Sequence, residues 1–136
     1  IVFNAFQTVA QKRVAVYHTN VILCLGDAFA VICLSCIDNV QQRNTVVAQL
    51  HADNKEIIDI TQEQMHQFAG NMLQVKGLEN RSIIVMSQSA RDSLTPDQTK
   101  TLEKHGELLA AKLPTIETCG GGSARCMMAE VFLPKA

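Results

Sequence analysis

Gly120-Gly121-Gly122-Ser123-Ala124-Arg125-Cys126 is the stretch whose residue types most directly suggest chemistry. Successive glycines let backbone amides approach a ligand and adopt positive φ, and Arg125 adds a permanent cation beside a thiol. Both favour the thiolate, the nucleophilic form of a group whose free pKa is about 8.5. Cys126 is the one cysteine of 5 with such neighbours. A competing reading makes the glycine run a flexible linker and Cys126 a buried thiol at the start of a strand. A phosphate-binding loop does not fit, because such a loop ends in Gly-Lys-Ser/Thr and this one ends in Ala-Arg-Cys.

A thiolate needs a partner that handles protons, and the chain has 4 histidines. His51, His66 and His105 fall in predicted helices among Gln, Lys, Glu and Asp, an ordinary solvated setting. His18 lies at a strand boundary in Tyr17-His18-Thr19-Asn20-Val21, where extended alternation puts His18 and Asn20 on one face. Asn20 would then orient the imidazole, as the third group of such constellations does. The competing reading is a histidine satisfied by core hydrogen bonds.

Composition bounds the remaining classes. A chain of 136 residues, 47% hydrophobic, can bury one core. Its net charge of -1 gives no electropositive field, so nucleic acid is not an expected partner. The longest apolar stretch, Val21 to Ile37, is broken by Gly26-Asp27, so no membrane-spanning helix is expected. The start, Ile1-Val2-Phe3-Asn4, has neither an initiator Met nor a basic flank with an apolar block, and reads as truncated. An odd cysteine count, with Cys24, Cys33 and Cys36 in apolar runs, fits a reducing, cytoplasmic setting. Cys33-Leu34-Ser35-Cys36 has redox or zinc spacing, but it neither opens a predicted helix nor has a second ligand pair. No metal and no cofactor are expected.

The elements that must position these groups follow from apolar patterning. Val14–Tyr17, Val21–Leu25 and Ala28–Leu34 read as strands, the last two joined by a tight Gly26-Asp27 turn into a hairpin apolar on both faces. Asp38 and Gln41 offer a helix cap and partner before a helix from Asn39 to His51. Glu56–Ile60 reads as a strand. Thr61 and Gln64 form a capping pair before a short helix through Phe68, which Gly70 stops. Met72–Val75 and Ser82–Met86 read as strands, and Thr95-Pro96-Asp97-Gln98 opens a third helix running to Lys112. Thr115–Cys119 is a further strand candidate, with an apolar run from Met127 to Leu133. The order strand, strand, helix, strand therefore occurs twice, which predicts repeated ββαβ units in one α/β domain.

Tyr17-His18-Thr19-Asn20-Val21, Phe68-Ala69-Gly70-Asn71-Met72-Leu73 and Gly120-Gly121-Gly122-Ser123-Ala124-Arg125-Cys126-Met127-Met128-Ala129-Glu130, in that order, resemble the guanidine-modifying superfamily. The nearest group in it is that of amidinotransferases and arginine deiminase-like, citrulline-forming hydrolases. The resemblance runs from Tyr17 to Glu130. It implies an α/β pentein-type propeller, here about two ββαβ units, and makes residues 1–136 the C-terminal portion of an amidinotransferase-like catalytic domain. It also implies that Cys126 is the nucleophile, that His18 is the acid/base and that Asn71 is a polar position on the active-site floor. Asn20, Arg125, Gly121, Gly122 and Ser123 would orient or bind the substrate. Many members carry Asp where this chain has Asn20, and they draw guanidinium-binding carboxylates from an N-terminal part absent here.

The implied activity is hydrolysis of the guanidinium group of arginine or a related small guanidine through an amidino-cysteine. Transfer of the amidine to an amine, a non-catalytic binding module, and ester or amide hydrolysis at an oxyanion site are the alternatives. Sheet edges left open by a partial propeller predict a homo-oligomer, or association with the missing N-terminal part.

Overall fold

The computed structural model describes residues 1–129. Glu130 and the apolar run beyond residue 129 lie outside the described residues. The chain opens with a hairpin, β1 (Phe6–Val9) and β2 (Lys12–Ala15), in antiparallel register Phe6↔Ala15. Its two-residue loop, Ala10-Gln11, has φ of 47° and 63°, a left-handed turn made without the glycine or asparagine that usually marks it. The expected strand at Val14–Tyr17 lies slightly earlier for this reason.

Two copies of one topology follow. β3 (Leu23–Leu25) and β4 (Phe29–Ile32) form the predicted hairpin, α1 (Val40–Ala52) crosses over, and β5 (Glu56–Asp59) returns parallel to β4. After α2 (Gln62–His66), β6 (Leu73–Lys76) and β7 (Ser82–Ser87) pair antiparallel. The helices α3 (Gln88–Ser93) and α4 (Pro96–Glu103) cross over, and β8 (Glu107–Ala111) lies parallel to β7. The three-stranded sheets, ordered β3-β4-β5 and β6-β7-β8, are open, and no closed propeller is formed by the described residues.

β4 is buried on both faces. Phe29 and Val31 point into the main core with Met72, Ile84, Met86 and Leu102, while Ala30 and Ile32 meet Val46 and Leu50 of α1. The first cluster draws on both units, so they share one core. Capping glutamines also join them. Thr61 and Gln64 at α2, and Thr95 and Gln98 at α4, each form the predicted reciprocal box. Gln64 Nε2 then donates to Gln98 Oε1 at 2.7 Å, and Gln98 Nε2 donates to the Asp59 carbonyl at 2.8 Å.

Three expectations need correction. The cap of α1 is Asn39, whose side chain accepts from the Gln42 amide, whereas Asp38 pairs with Arg13. The third helix stops at Glu103 instead of Lys112, because Leu108 and Ala110 of β8 pack on the core and parallel pairing with β7 outweighs the helix propensity of Glu107-Leu108-Leu109-Ala110-Ala111. With β8 filling the third place in its sheet, Thr115–Cys119 has no ladder to join. Ile116–Gly120 instead makes a single π-helical turn.

Candidate active site

Two turns converge near Cys126. Phe68, with φ of 65°, reverses the chain after α2, and Asn71 donates its amide to the Phe68 carbonyl at 2.8 Å. Gly70 is required there, since a Cβ would lie 2.3 Å from the Val21 carbonyl oxygen. That close approach presses the turn onto the 3-10 turn Thr19–Val21 and brings Asn71 to Asn20. From the other end of the chain, Gly121 turns through a φ of 63° and leads into a 3-10 turn, Ala124–Met127, that carries Cys126.

Asn71, only 4% exposed, is the junction of these turns. Its Oδ1 accepts from the Arg125 amide at 3.1 Å, which orients the side chain, so Nδ2 faces the Asn20 carbonyl at 3.2 Å and the Cys126 sulfur at 3.3 Å. Asn20 Nδ2 approaches the same sulfur at 3.9 Å. The Cys126 amide donates to the Ser123 carbonyl at 3.0 Å, and the Tyr17 hydroxyl reaches the Gly121 carbonyl at 3.4 Å. A cavity of about 200 Å³ is lined by Cys126, His18, Asn20, Asn71, Gly121 and Gly122, with His66 and Tyr17 at its wall.

Several roles expected from sequence change here. Cys126 is exposed on a helical turn; it is neither a core thiol nor the start of a strand. Arg125 lies next to it in sequence but sends its guanidinium away, donating from Nη1 to the Leu23 carbonyl at 3.1 Å. The polar hydrogens near the sulfur come from the carboxamides of Asn20 and Asn71. Thr19–Val21 is helical, not extended, so the alternation argument fails: Asn20 turns to the sulfur and makes no hydrogen bond to the His18 ring. His18 is exposed in the cavity, its ring centroid 5.1 Å from that of Tyr17. Ser123 is fully buried and binds Glu117, so it does not face the cavity as a ligand group.

Sequence reasoning missed two residues. His66, read as a solvated helical histidine, lines the cavity because α2 ends against it. It also lines a larger groove of about 550 Å³ with Thr8, Asp59 and Glu63, in which no cysteine takes part. Glu117 lay in a predicted strand and carried no signal. His105 is also not solvated: it follows α4, packs 5.1 Å from Phe29 and pairs with Glu56 at 2.8 Å, far from the site. Cys33 and Cys36 are buried with sulfurs 3.4 Å apart and Met65 sulfur 3.5 Å from Cys36. No cluster of metal-ligating side chains occurs among the described residues, and no helix among them is long and apolar enough to cross a membrane.

Repeated ββαβ units that set an exposed cysteine among carboxamides and imidazoles describe a thiol-bearing α/β site at one end of two sheets. The solved structure of ArgZ, an arginine dihydrolase from the ornithine-ammonia cycle in cyanobacteria, has this fold. It superposes with a TM-score of 0.61 at 17% identity, covering 81% of this chain and 16% of that one. The chain thus spans about a sixth of that relative's length. The profile of eukaryotic N,N dimethylarginine dimethylhydrolase matches residues 1–133, and the chain belongs to that family. No curated protein matches.

Proposed function

We propose that this chain carries the thiol half of a cysteine-dependent hydrolase that cleaves a C–N bond in the guanidinium group of arginine or an N-substituted arginine. One observation carries the reading: the Cys126 sulfur sits 3.3 Å from a buried, oriented amide donor in the cavity that His18 also lines. Family membership and the ArgZ fold support hydrolysis over amidine transfer.

In this mechanism the Cys126 thiolate attacks the planar guanidinium carbon, and Asn71 Nδ2 donates to the sulfur to hold it in place. His18, protonated, gives its proton to the departing nitrogen, which leaves as ammonia or a methylated amine. The amidino group stays on sulfur as a thiouronium. Neutral His18 then takes a proton from water, the hydroxide adds to the same carbon, and collapse returns the thiolate and a ureido product such as citrulline.

A guanidinium buried without carboxylates is costly, and no Asp or Glu lines the cavity among the described residues. Acidic partners are therefore assigned to a second copy or to the remainder of a longer relative. The two ββαβ units are assigned to part of a pentein-type propeller, working in a reducing compartment.

The test is intact-mass analysis after brief exposure to chloroacetamidine, with Cys126→Ala and His18→Ala beside the wild type. One adduct that vanishes in Cys126→Ala and slows in His18→Ala supports the reading. Equal adducts on Cys119 and Cys126, or a His18→Ala rate equal to wild type, refute it.

A further inference from the structure

Of the glycines that lead to Cys126, Gly122 packs against it, but Gly120 and Gly121 are not held by close packing. A Cβ at Gly121 would meet nothing within 4 Å, and one at Gly120 would touch only Ile116 at 4.0 Å. Glycine has more backbone freedom than any other residue, so with Gly121 in open space the thiol beyond it would wander unless other contacts fix the segment.

The tether is visible in the side chains behind the loop. Ser123, fully buried, donates its hydroxyl to Glu117 Oε1 at 2.7 Å, and Ser89 of α3 donates to Oε2 at 2.6 Å. Both carboxylate oxygens are thereby occupied, one by the loop and one by the crossover helix. From Ser123 the restraint continues through its carbonyl to the Cys126 amide at 3.0 Å. Ala124, 2% exposed, seats the next residue in the core.

We propose that Glu117 is a positioning residue for the nucleophile: its carboxylate, shared between Ser89 and Ser123, latches the glycine segment to α3 and so keeps the Cys126 sulfur against Asn71. This rests on Cys126 being the nucleophile. A third hydroxyl, that of Ser87, favours the charged carboxylate as well. Burial pushes the Glu117 pKa up, and the hydroxyls of Ser87, Ser89 and Ser123 more than offset that, so it lies below the usual range. Ser87 is itself fixed, since its oxygen caps α3 by accepting from the Ala90 amide at 3.1 Å. The latch is thus anchored to α3 through Ser89. Glu117 touches neither the cavity nor the reacting atoms, and acts only through the backbone of 121–126.

The test compares wild type, Glu117→Ala and Glu117→Gln by amide hydrogen exchange over residues 121–126 and by the rate of Cys126 labelling with chloroacetamidine. Losing the latch should speed exchange of the Arg125 and Cys126 amides, and slow labelling, by about tenfold each in Glu117→Ala. Glu117→Gln keeps an acceptor for one hydroxyl and a donor for the other, and should stay within about threefold of wild type. Unchanged exchange in Glu117→Ala, or a Gln variant as impaired as Ala, overturns the proposal. Should Glu117→Ala fail to fold, Ser89→Ala removes one donor at lower cost, and unchanged exchange over 121–126 in that variant overturns it equally. If wild-type Cys126 labels no faster than Cys119, the nucleophile assignment fails, while the exchange measurement still decides whether the latch exists.

Discussion

Replacing Asn71 by Asp changes one atom and tests whether the amide beside the sulfur matters. The new carboxylate can still accept from the Arg125 amide, so the turn keeps its main restraint. The atom facing Cys126 at 3.3 Å becomes an oxygen carrying negative charge. Two unit charges at that distance repel by about 1.3 kcal/mol in water and about 5 kcal/mol at an effective dielectric of about 20. Because Cys126 is exposed, the lower figure sets the floor, which corresponds to about a tenfold slowing of attack by the sulfur. The assay is iodoacetamide labelling at about pH 7, read site by site by mass spectrometry, with exposed Cys119 as the internal reference. The slowing should ease as salt is raised, since the charges are partly solvated. Asn71→Ala should behave differently. It leaves the Arg125 amide and the Asn20 carbonyl without their partner, for a stability loss of about 2–4 kcal/mol, and its labelling rate should not respond to salt. An Asn71→Asp protein that melts normally yet labels Cys126 within about twofold of wild type would refute the claim that this amide holds the sulfur.

Other outcomes follow from the same geometry. In Gly122→Ala the new Cβ would stand 3.1 Å from Cys126 Cβ and 3.2 Å from its sulfur, so the fold should survive while Cys126 labelling changes severalfold; an unchanged rate would mean that the sulfur has room to move. Under native conditions only Cys119 and Cys126 should react with a small alkylating reagent, Cys24, Cys33 and Cys36 becoming reactive on denaturation; native labelling of the latter three would contradict their burial. Burial raises the Glu117 pKa but its serine donors bring it below the ordinary 4.5, so its contribution to stability is complete above that value and is lost as pH falls through the lower, folded pKa. Acid melts should therefore show a stability loss that Glu117→Gln lacks, and identical pH profiles for the two proteins would remove the carboxylate from the account.

Why some of this was legible and some not can be argued residue by residue. Local rules were strong at Thr61, Gln64, Thr95, Pro96 and Gln98, where side chain and backbone satisfy one another within four positions, and both capping boxes form as the sequence predicts. The hairpin at Gly26-Asp27 was equally local, and the repeated ββαβ order needed only the count of elements. The boundaries of the second unit were not local. Glu107-Leu108-Leu109-Ala110-Ala111 continues a helical composition, and only the neighbouring edge of β7 makes it a strand. The hairpin at Ala10-Gln11 carries none of the residues that tolerate positive φ, so its stability must come from the contacts its strands make.

The site divides along the same line. Residue types singled out His18 and Cys126 as candidates beside blander readings, and only the resemblance to a family pointed to Asn71. Their relations were not legible. Arg125 follows an order of side chains around a 3-10 turn, which rotates the neighbour of Cys126 away from its sulfur and toward Leu23. Adjacency in sequence therefore gave the wrong cation, while the group that does meet the sulfur stands at Asn71, reached only through the Gly70 approach to Val21. Glu117 is the sharper case. Its partners Ser87, Ser89 and Ser123 are contributed by a strand end, a helix and a loop, and each is an unremarkable residue in its own segment. What makes the carboxylate matter is the emptiness around Gly121, a property of three-dimensional packing that no spacing rule encodes.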